Sequence, residues 1–338
     1  MTAESKWVTM DEVAREAKVS KITVSRVLRS PEKVSVETRE RVQAVIRALG
    51  YVLDETAGSL ASGESRIVAA MVSTLEGSVF ASTIDGINHH LREHGHQLLL
   101  GNTGYSSASE ATLIATTFGH RPDGIILTSS EHTMEAQALL RANGTAVVEI
   151  WELPEKPIDM AVGFSNAAAG HAMTRFLFDL GRRRIAFIGG GPTADLRGRL
   201  RYDGYAAAMQ ALGLGELPPV PYDRTIPSAA ERGARGMRWL LKNLPDVDAV
   251  FCTSDTVALG ALHEARRRGK CVPGNIALAG LGDFEFAGEY GLGLTTVRIP
   301  GYKIGQTAAR LVLERKRNGG AGPKVIDLGF EIVRRATA

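Results

Sequence analysis

The chain has 338 residues, of which 44% are hydrophobic and 23% are charged. It is too long for one small domain, and this composition suits a soluble globular protein of two or three compact units. The net charge of +3 is too small to indicate nucleic-acid binding by itself, because the distribution of charge matters more than its total. The two cysteines, Cys252 and Cys271, exclude a disulfide framework and fit a reducing compartment.

No apolar run in the sequence is long enough to span a membrane. Residues 1–7 are not followed by the apolar stretch that a secretory signal requires. We therefore expect a cytoplasmic protein that does not associate with a membrane.

The first 51 residues have the periodicity of three short helices. Thr9 and Glu12 have the spacing of a capping box at the start of the first helix. Ser20 follows a tight turn and predicts a second helix to about residue 28, while Ser35 caps and Gly50 ends a third. Three short helices with a very short first turn are typical of a helix-turn-helix unit.

The predicted second helix carries a basic and polar face opposite its apolar stripe. Six Lys or Arg residues and only two Glu residues lie between positions 15 and 33, which provides the positive charge that phosphate contacts need. Lys21 and Arg26 can donate to guanine acceptors, and Ile22 can pack on a thymine methyl group. The alternative is a three-helix packing unit with a solvated basic face, since such units are common.

The order and spacing of these residues resemble the head of the lactose-repressor family. The matching segments are TMDEVA at 9–14, VSKITVSRVL at 19–28, VSVETRERV at 34–42 and LGY at 49–51. The resemblance implies that the second helix lies in the major groove of a palindromic operator, with Lys21, Ile22 and Arg26 reading bases. The DNA-contacting residues expected on these grounds are Thr9, Ser20, Lys21, Ile22, Thr23, Ser25, Arg26, Arg29, Lys33, Ser35, Thr38, Ala57 and Leu60.

Residues 52–65 are small, polar and glycine-bearing, as in a linker. In the resembled family this segment becomes a hinge helix on the operator; Leu60 matches the leucine that wedges into the minor groove, and Ala57 also fits. Leu53 stands where the family has proline, and Gly58 within a helix costs about 1 kcal/mol relative to alanine. We therefore expect a weaker or later-forming hinge helix. The alternative is that Leu60 anchors the linker to the next domain.

From residue 66 onward, apolar strand-like runs alternate with amphipathic helices. This alternation predicts parallel sheets covered on both faces, and the number of strands indicates two lobes. By resemblance to the repressor family and to periplasmic sugar-binding proteins, we expect a small all-α helix-turn-helix domain (1–51), a hinge linker (52–65) and a periplasmic-binding-protein-like α/β domain of two Rossmann-like lobes (66–338). The first lobe is expected over about 66–163 and 295–323, and the second over about 164–294 and 324–338.

A ligand is expected in the crevice at the carboxyl ends of the strands. The arginines after the glycine-rich loop at 189–191 can hold a carboxylate or a pair of hydroxyl groups. The resemblance to the repressor family, carried here by RLRYDGY at 199–205, implies a pocket lined by Ser73, Arg201, Ser254 and Asp283. The full set of predicted effector-binding residues is Ser73, Phe80, Thr128, Glu149, Arg199, Arg201, Ser254, Asp255 and Asp283.

Several stretches resemble one branch of the family, the gluconate-utilisation repressors. They include KITVSRVLRSPEKVS at 21–35 and DMAVGFSN at 159–166. This resemblance implies gluconate or a related sugar acid as the effector, with Arg201 taking its carboxylate. We expect effector binding to rotate the lobes and to lower operator affinity, which is a coupling between two sites.

The resemblance also implies a homodimer, which a palindromic operator would match. Dimer contacts are expected on the helix predicted over 79–94, whose apolar stripe consists of Phe80, Ile84, Ile87 and Leu91. The alternative is that this stripe packs only on its own sheet, and the two uses can also coexist.

Two other classes of protein share parts of this pattern. A sugar-binding protein without a DNA role would explain the two lobes but not the basic head. A nicotinamide-dependent enzyme would need a dinucleotide fingerprint, and the glycines at 189–191 lack its spacing. No catalytic set and no cofactor are expected, and His90 and His94 are expected to be solvated rather than to bind a metal.

Overall fold

The computed structural model of the chain describes residues 8–52, 65–75, 80–190, 195–215, 217–288, 290–319 and 324–338. The chain divides into two compact units, Met1–Ser65 and Arg66–Ala338. The predicted DNA contacts Ala57 and Leu60, and with them the predicted hinge helix, lie outside the described residues.

Within residues 8–52, the first unit packs short helices around a small apolar core. Val13, Val24 and Val42, one from each α-helix, have no exposed surface. Lys18 adopts a left-handed φ of 55°, which lets the chain reverse over a short turn between the first two helices. The elements are α1 (Met10–Glu16), α2 (Lys21–Arg29), a 3-10 helix (Pro31–Lys33) and α3 (Val36–Leu49).

Side chains at the helix ends explain where these helices begin and stop. The capping box predicted at α1 is present, since Thr9 and Glu12 each accept a hydrogen bond from the other's backbone N–H. Ser20 caps α2 by accepting from the backbone N–H of Thr23 at 3.2 Å. Ser35 lies at the N-cap position of α3, but its hydroxyl donates to the Thr38 hydroxyl at 3.0 Å instead of accepting from the backbone. Gly50 ends α3 in the left-handed conformation.

The second unit alternates strands and helices along the chain. Its strands are β1 (Ile67–Val72), β2 (Gln97–Asn102), β3 (Gly124–Leu127), β4 (Ala146–Ile150), β5 (Met160–Gly163), β6 (Ile185–Ile188), β7 (Ala249–Cys252), β8 (Ala277–Gly282), β9 (Thr295–Arg298), β10 (Lys324–Asp327) and β11 (Glu331–Val333). Its helices are α4 (Ala81–Glu93), α5 (Ser107–Phe118), α6 (Met134–Ala142), α7 (Asn166–Asp179), α8 (Leu196–Ala211), α9 (Ala229–Asn243), α10 (Asp255–Arg267) and α11 (Gly301–Asn318), with a 3-10 helix at Glu285–Ala287.

Each of two sheets forms the centre of one lobe. The first sheet has the strand order β10-β5-β4-β3-β1-β2, and all of its pairs are parallel. The second has the order β11-β9-β8-β7-β6 and is parallel except for the pair of β9 and β11. The described architecture is therefore the predicted small helical unit followed by two α/β lobes.

The boundaries of the lobes differ from those expected from the sequence. Strand β9 pairs with β8 in the second lobe, although residues 295–323 were expected in the first. Strand β10 pairs with β5 in the first lobe, although residues 324–338 were expected in the second. The apolar pattern of a short strand shows that it is buried but does not identify its neighbour, so the crossings near 299–300 and 328–330 could not be located from the sequence.

Alternating residues of the central strands pack against opposite helical layers. Val68 and Ala70 of β1 belong to the core shared with α4 and α11, whereas Ala69 and Met71 belong to the core shared with α5 and α6. The apolar stripe predicted for dimer contacts faces inward: Ile87 and Leu91 are buried in the core of their own lobe. The stripe therefore packs within its own lobe, and the use of this helix in dimer contacts stays a prediction.

Candidate functional site

Helix α2 presents its predicted base-reading side chains to solvent. Ile22 is 64% exposed, whereas Val24 and Val27 of the same helix are buried. Lys21 and Arg26 are exposed beside it. An exposed isoleucine between cations in the first turns of a helix is suited to contact base edges and thymine methyl groups.

Polar groups that could bind phosphates surround this helix. The Lys21 ammonium pairs with the Asp11 carboxylate at 2.6 Å, and both side chains are mostly exposed. Such a pair contributes at most about 1 kcal/mol, so a DNA phosphate can replace Asp11 as the partner of Lys21. Of the other predicted contacts, Thr9, Ser20, Arg29, Lys33 and Ser35 are exposed, and Thr23, Ser25 and Thr38 are half-buried.

A cavity of about 930 Å³ opens between the two lobes of the second unit. Its walls come from residues that follow the carboxyl ends of strands in both sheets and from the first turns of α8, α9 and α10. The charged residues of the wall are Asp195, Arg197, Arg201, Arg224 and Arg232. Four guanidinium groups against one carboxylate favour an anionic ligand.

The side chain of Arg201 is fixed in the wall of this cavity. Its Nε donates to Asn166 Oδ1 at 2.7 Å, and its Nη1 donates to the Thr253 carbonyl oxygen at 2.8 Å. Burial and the neighbouring Arg197 lower the pKa of Arg201 to about 10, which leaves it charged at neutral pH. A planar cation held in this way is suited to bind a carboxylate.

Arg197 connects the two lobes. It lies on α8 of the second lobe and donates to the Thr128 carbonyl oxygen at 2.9 Å and to Ser73 Oγ at 3.2 Å, both in the first lobe. Its guanidinium also lies 5.1 Å from the centre of the Phe80 ring, which packs edge-on against Trp151. The relative position of the lobes therefore depends on a residue of the cavity wall.

Asp195 is the one carboxylate among the described residues that line the cavity. It caps α8 by accepting from the backbone N–H of Gly198 at 3.0 Å and pairs with Arg224 at 3.2 Å. Burial alone would raise the pKa of Asp195, but Arg197 and the Gly198 N–H outweigh burial and lower it. Asp195 is therefore ionised at neutral pH and can accept hydrogen bonds from hydroxyl groups.

The structure brings part of the predicted effector set together. Ser73, Arg201 and Ser254 lie on the cavity wall, where Ser254 also caps α10. Thr128 lines an adjoining pocket of about 330 Å³ that shares Ser73 with the cavity. Phe80 is buried beneath Arg197 and is not among the described residues that line the cavity.

Glu149 is placed away from the cavity, contrary to the sequence prediction. It lies in a buried cluster in which His132 Nδ1 is 2.6 Å from Glu110 and His132 Nε2 is 3.3 Å from Glu149. Glu149 also accepts from the backbone N–H of Ile158 at 2.6 Å. Burial would lower the pKa of His132, but its hydrogen bonds with Glu110 and Glu149 outweigh burial and raise it to about 9. Glu149, near the end of β4, is therefore the partner of a buried imidazolium.

Asp255 is also directed away from the cavity. It is fully buried and accepts from the Thr296 hydroxyl at 2.6 Å and from the Phe284 backbone N–H at 2.9 Å. Burial raises its pKa to about 6. Its carboxylate ties the start of α10 to β9 and to the loop after β8, so the predicted effector contact is replaced by a structural one.

Arg199 and Asp283 are not among the described residues that line the cavity. Arg199 pairs with Glu131. It does not line the cavity, because it lies on a different face of α8 from Arg197 and Arg201. Asp283 pairs with Arg298 and Arg335, each at 2.6 Å, and lines a neighbouring pocket of about 1090 Å³ that shares Trp151 with the cavity. The left-handed φ of 54° at Asp283 turns the chain aside directly after β8.

Sequence reasoning missed several residues of the wall. Arg224 lies between α8 and α9, its guanidinium 5.2 Å from the centre of the Tyr105 ring, and it follows no strand. Arg232, on α9, donates to the Tyr222 hydroxyl at 3.2 Å. The expectation that ligand-binding residues follow the carboxyl ends of strands cannot find such residues. The remaining signal was their position on either side of Ser228, which has the character of a helix N-cap.

One group of potential metal ligands occurs among the described residues. His90, Glu93 and His94 of α4 place ligand atoms within 4.8 Å of one another. The two imidazole rings lie 4.3 Å apart, and Nδ1 of His94 lies 2.8 Å from the His90 carbonyl oxygen. Burial and the neighbouring His94 lower the pKa of His90.

Two family models match the chain in the regions that form the two units. The model of bacterial regulatory proteins of the lacI family matches residues 9–54, and a periplasmic binding protein-like domain matches residues 174–338. The first match covers the helix-turn-helix, and the second covers most of the second lobe together with α11 and the C-terminal strands.

Curated relatives match over nearly the whole chain. The HTH-type transcriptional regulator GntR of Pseudomonas aeruginosa is 36% identical over 97% of this chain and 94% of its own length. The HTH-type transcriptional regulator IdnR of Escherichia coli K12 is 32% identical over 96% of this chain and 97% of its own. Among solved structures, a LacI-family transcriptional regulator from Silicibacter pomeroyi aligns with a TM-score of 0.88 and 33% identity, covering 98% of this chain and 99% of that one.

A basic helix-turn-helix joined to a two-lobed ligand-binding unit defines a DNA-binding transcription regulator. The chain belongs to the lacI family of bacterial regulatory proteins and is a transcription repressor of that family. The relatives and the solved structure to which it is similar are transcription regulators. No helix among the described residues is long and apolar enough to cross a membrane.

Proposed function

We propose that a sugar acid, for which gluconate is the simplest choice, binds between the two lobes and weakens operator binding. The observation that carries this proposal is the buried Arg201 guanidinium, fixed at the carboxyl ends of the strands by Asn166 and Thr253. The similarity to regulators named GntR and IdnR, and the resemblance to the gluconate-utilisation branch, support the same class of ligand.

A carboxylate is the group that Arg201 is best suited to bind. Among the described residues, its hydrogen bonds use Nε and Nη1, so Nη2 can donate to a ligand. Arg197 adds a second positive charge close to it. Hydrogen bonds to charged groups contribute about 1.5–3 kcal/mol each, which suffices to select a sugar acid over a neutral sugar.

The rest of a sugar acid is a chain of hydroxyl groups, each of which donates and accepts. The ionised Asp195 can accept from such hydroxyls, and Asn102 offers both a donor and an acceptor. Ser73 and Ser254 add hydroxyls from opposite lobes. A ligand bound to both walls would favour one relative position of the lobes over others, which is the differential interaction that allostery requires.

The repressor would act as a homodimer that presents two α2 helices to a palindromic operator. The chain passes between the lobes near 164–165, 299–300 and 328–330, and these are the places at which the lobes would rotate. By linkage, the sugar acid would lower operator affinity by the same factor by which operator lowers affinity for the sugar acid.

Calorimetric titration of the full-length protein with D-gluconate tests the proposed ligand. Arg201→Gln is expected to weaken binding by about 10-fold to 100-fold, because it removes the charged donor. Arg199→Gln is the matched control on the same helix, and it should leave the affinity within about threefold of wild type. Equal affinity in wild type and Arg201→Gln would contradict the assignment of the carboxylate.

A further inference from the structure

The C-terminal end of α4 carries three side chains that can act together as metal ligands. His90, Glu93 and His94 are three and four residues apart, so they lie on one face of the helix. One ligand atom from each side chain lies within 4.8 Å of the other two. His90 is half-buried, whereas Glu93 and His94 are exposed, so a metal ion can reach the cluster from solvent.

The imidazole of His94 is oriented as metal-binding histidines usually are. Its Nδ1 lies 2.8 Å from the His90 carbonyl oxygen, and a carbonyl oxygen can only accept a hydrogen bond. Nδ1 therefore carries the proton, and Nε2 keeps its lone pair for a metal. Histidines that bind metals donate their other ring N–H to a carbonyl or carboxylate oxygen in this way, which fixes both the tautomer and the direction of the ring.

Packing of α4 holds the backbone of the cluster in place. Ile87 and Leu91 of the same helix are buried in the core of the first lobe. Gly86 lies so close to α11 that a Cβ atom there would overlap the Tyr302 carbonyl oxygen. A metal ion therefore has to order only side-chain torsions. Zinc–ligand distances of about 2.0–2.2 Å require the ligand atoms to move closer together, and exposed side chains have the freedom to do so.

The electrostatics of this end of α4 favour a cation. The carbonyl groups of the last helical turn form the negative end of the helix dipole, and Glu93 adds a carboxylate. Glu314 of α11 also lies close enough to act on His90, and the opposing Arg310 is paired with Glu314 at 2.7 Å. Glu93 lies 3.5 Å from His89, but both side chains are exposed, so this pair is weak and a metal can replace it.

The ligand atoms also select a class of metal. Two imidazole nitrogens and one carboxylate suit Zn²⁺ and the neighbouring divalent transition metals, whereas Mg²⁺ and Ca²⁺ prefer oxygen ligands alone. Three protein ligands leave at least one coordination position for water.

We propose that His90, Glu93 and His94 form a binding site for a divalent transition metal, for which Zn²⁺ is the probe. The sequence alone predicts that the two histidines are solvated; the position of Glu93 and the hydrogen bond of His94 Nδ1 are the observations that favour a metal. The inference does not depend on the ligand between the lobes. Because metal bound to the folded chain shifts the unfolding equilibrium, Zn²⁺ should also stabilise the second unit.

Calorimetric titration of the full-length protein with ZnCl₂ tests the site, using protein without an affinity tag that has been freed of metal with a chelator. One Zn²⁺ per chain is expected to bind with a Kd of roughly 1–10 µM, weaker than a structural site of four ligands. His94→Gln should weaken binding by at least about tenfold, because it removes an imidazole ligand. His89→Gln is the matched control: it is the neighbouring histidine of the same helix and is similarly exposed, and its affinity should stay within about threefold of wild type.

Three further measurements separate this site from other zinc ligands. Cys271→Ser removes an exposed thiol and should leave the affinity unchanged. Zn²⁺ should raise the midpoint of thermal unfolding of wild type but not that of the double variant His90→Gln/His94→Gln. Circular dichroism establishes that each variant folds.

Several outcomes would overturn the inference. One is the absence of saturable binding below about 1 mM Zn²⁺. Another is an affinity or a thermal shift that survives in the double variant, since either would place the metal elsewhere. Loss of binding in His89→Gln or in Cys271→Ser would assign it to a different set of ligands.

Discussion

The Arg197 guanidinium of the second lobe donates to the carbonyl oxygen of Thr128 in the first lobe, 2.9 Å away. The same side chain donates to Ser73 Oγ, so two strand ends of one lobe are tied to a helix of the other. Because these three residues border the cavity or its adjoining pocket, a ligand that competes for these hydrogen bonds also acts on the position of the lobes.

Arg197→Gln is expected to weaken binding of D-gluconate by about tenfold, since it removes both a positive charge and the bidentate bridge between the lobes. Arg197→Lys keeps the charge but lacks the planar fork, so it should fall between wild type and Arg197→Gln. Calorimetric titration measures the three affinities. An Arg197→Lys protein as weak as Arg197→Gln would show that geometry matters and charge does not.

Arg26→Ala is expected to lower affinity for the operator by about 10-fold to 100-fold, because Arg26 is an exposed cation on the predicted base-reading face of α2. Non-specific DNA should be affected less, since phosphate contacts by other cations remain. Arg47→Ala, on the exposed surface of α3, is the control. Fluorescence anisotropy measures the ratio of the affinity for the operator to the affinity for non-specific DNA. An equal loss of affinity for both would assign Arg26 to phosphate contact.

The buried cluster of His132, Glu110 and Glu149 predicts a dependence of stability on pH. The pKa of His132 is about 9 in the folded protein, above the ordinary value of 6.5. A raised pKa means that the imidazolium stabilises the fold fully below about pH 6.5, and that this contribution is lost as the pH rises through about 9. The loss is expected to be roughly 2–3 kcal/mol.

Urea unfolding at intervals from pH 6 to pH 9.5 measures this loss as the change in the free energy of unfolding of the second unit. In His132→Gln, the free energy of unfolding should be lower at pH 6 and should fall less steeply toward pH 9.5. The difference between the two proteins isolates His132 from other groups that titrate in this range. Parallel curves for wild type and His132→Gln would rule out the raised pKa.

Helices α9 and α10 pack closely at Gly260, where a Cβ atom would overlap the carbonyl oxygen of Ala230. Gly260→Ala is therefore expected to destabilise the protein by about 1–3 kcal/mol, because the backbones must separate. Gly215→Ala is the control, since a Cβ there would meet nothing within 4 Å. Thermal unfolding compares the two variants, and an unchanged midpoint for Gly260→Ala would contradict the close approach.

The elements were largely predictable from the sequence because each depends on local patterns. The capping box of Thr9 and Glu12, the cap at Ser20 and the end of α3 at Gly50 are decided by neighbouring residues. The assignment of β9 and β10 to lobes was wrong because strand partners are chosen by contacts between distant segments.

The candidate site was predictable only in part, for a related reason. The expectation that ligands bind at the carboxyl ends of strands identified Ser73 and Ser254. It could not distinguish a side chain in the cavity from one such as Glu149 of β4, whose partner His132 lies in the loop between β3 and α6. The same expectation could not predict Arg232, because this residue lines the cavity from helix α9 and does not follow a strand. Side-chain direction depends on partners that only the folded chain brings together.

The most direct test of the whole account is fluorescence anisotropy of the full-length protein on an operator selected from genomic fragments, with and without D-gluconate at one salt concentration. We predict tight sequence-specific binding that gluconate weakens by about 5-fold to 150-fold, the usual range of coupling between two sites. Specific binding that neither gluconate nor any other sugar acid changes would contradict control by a sugar acid. Absence of sequence-specific binding to any fragment would contradict the DNA-reading function assigned to α2.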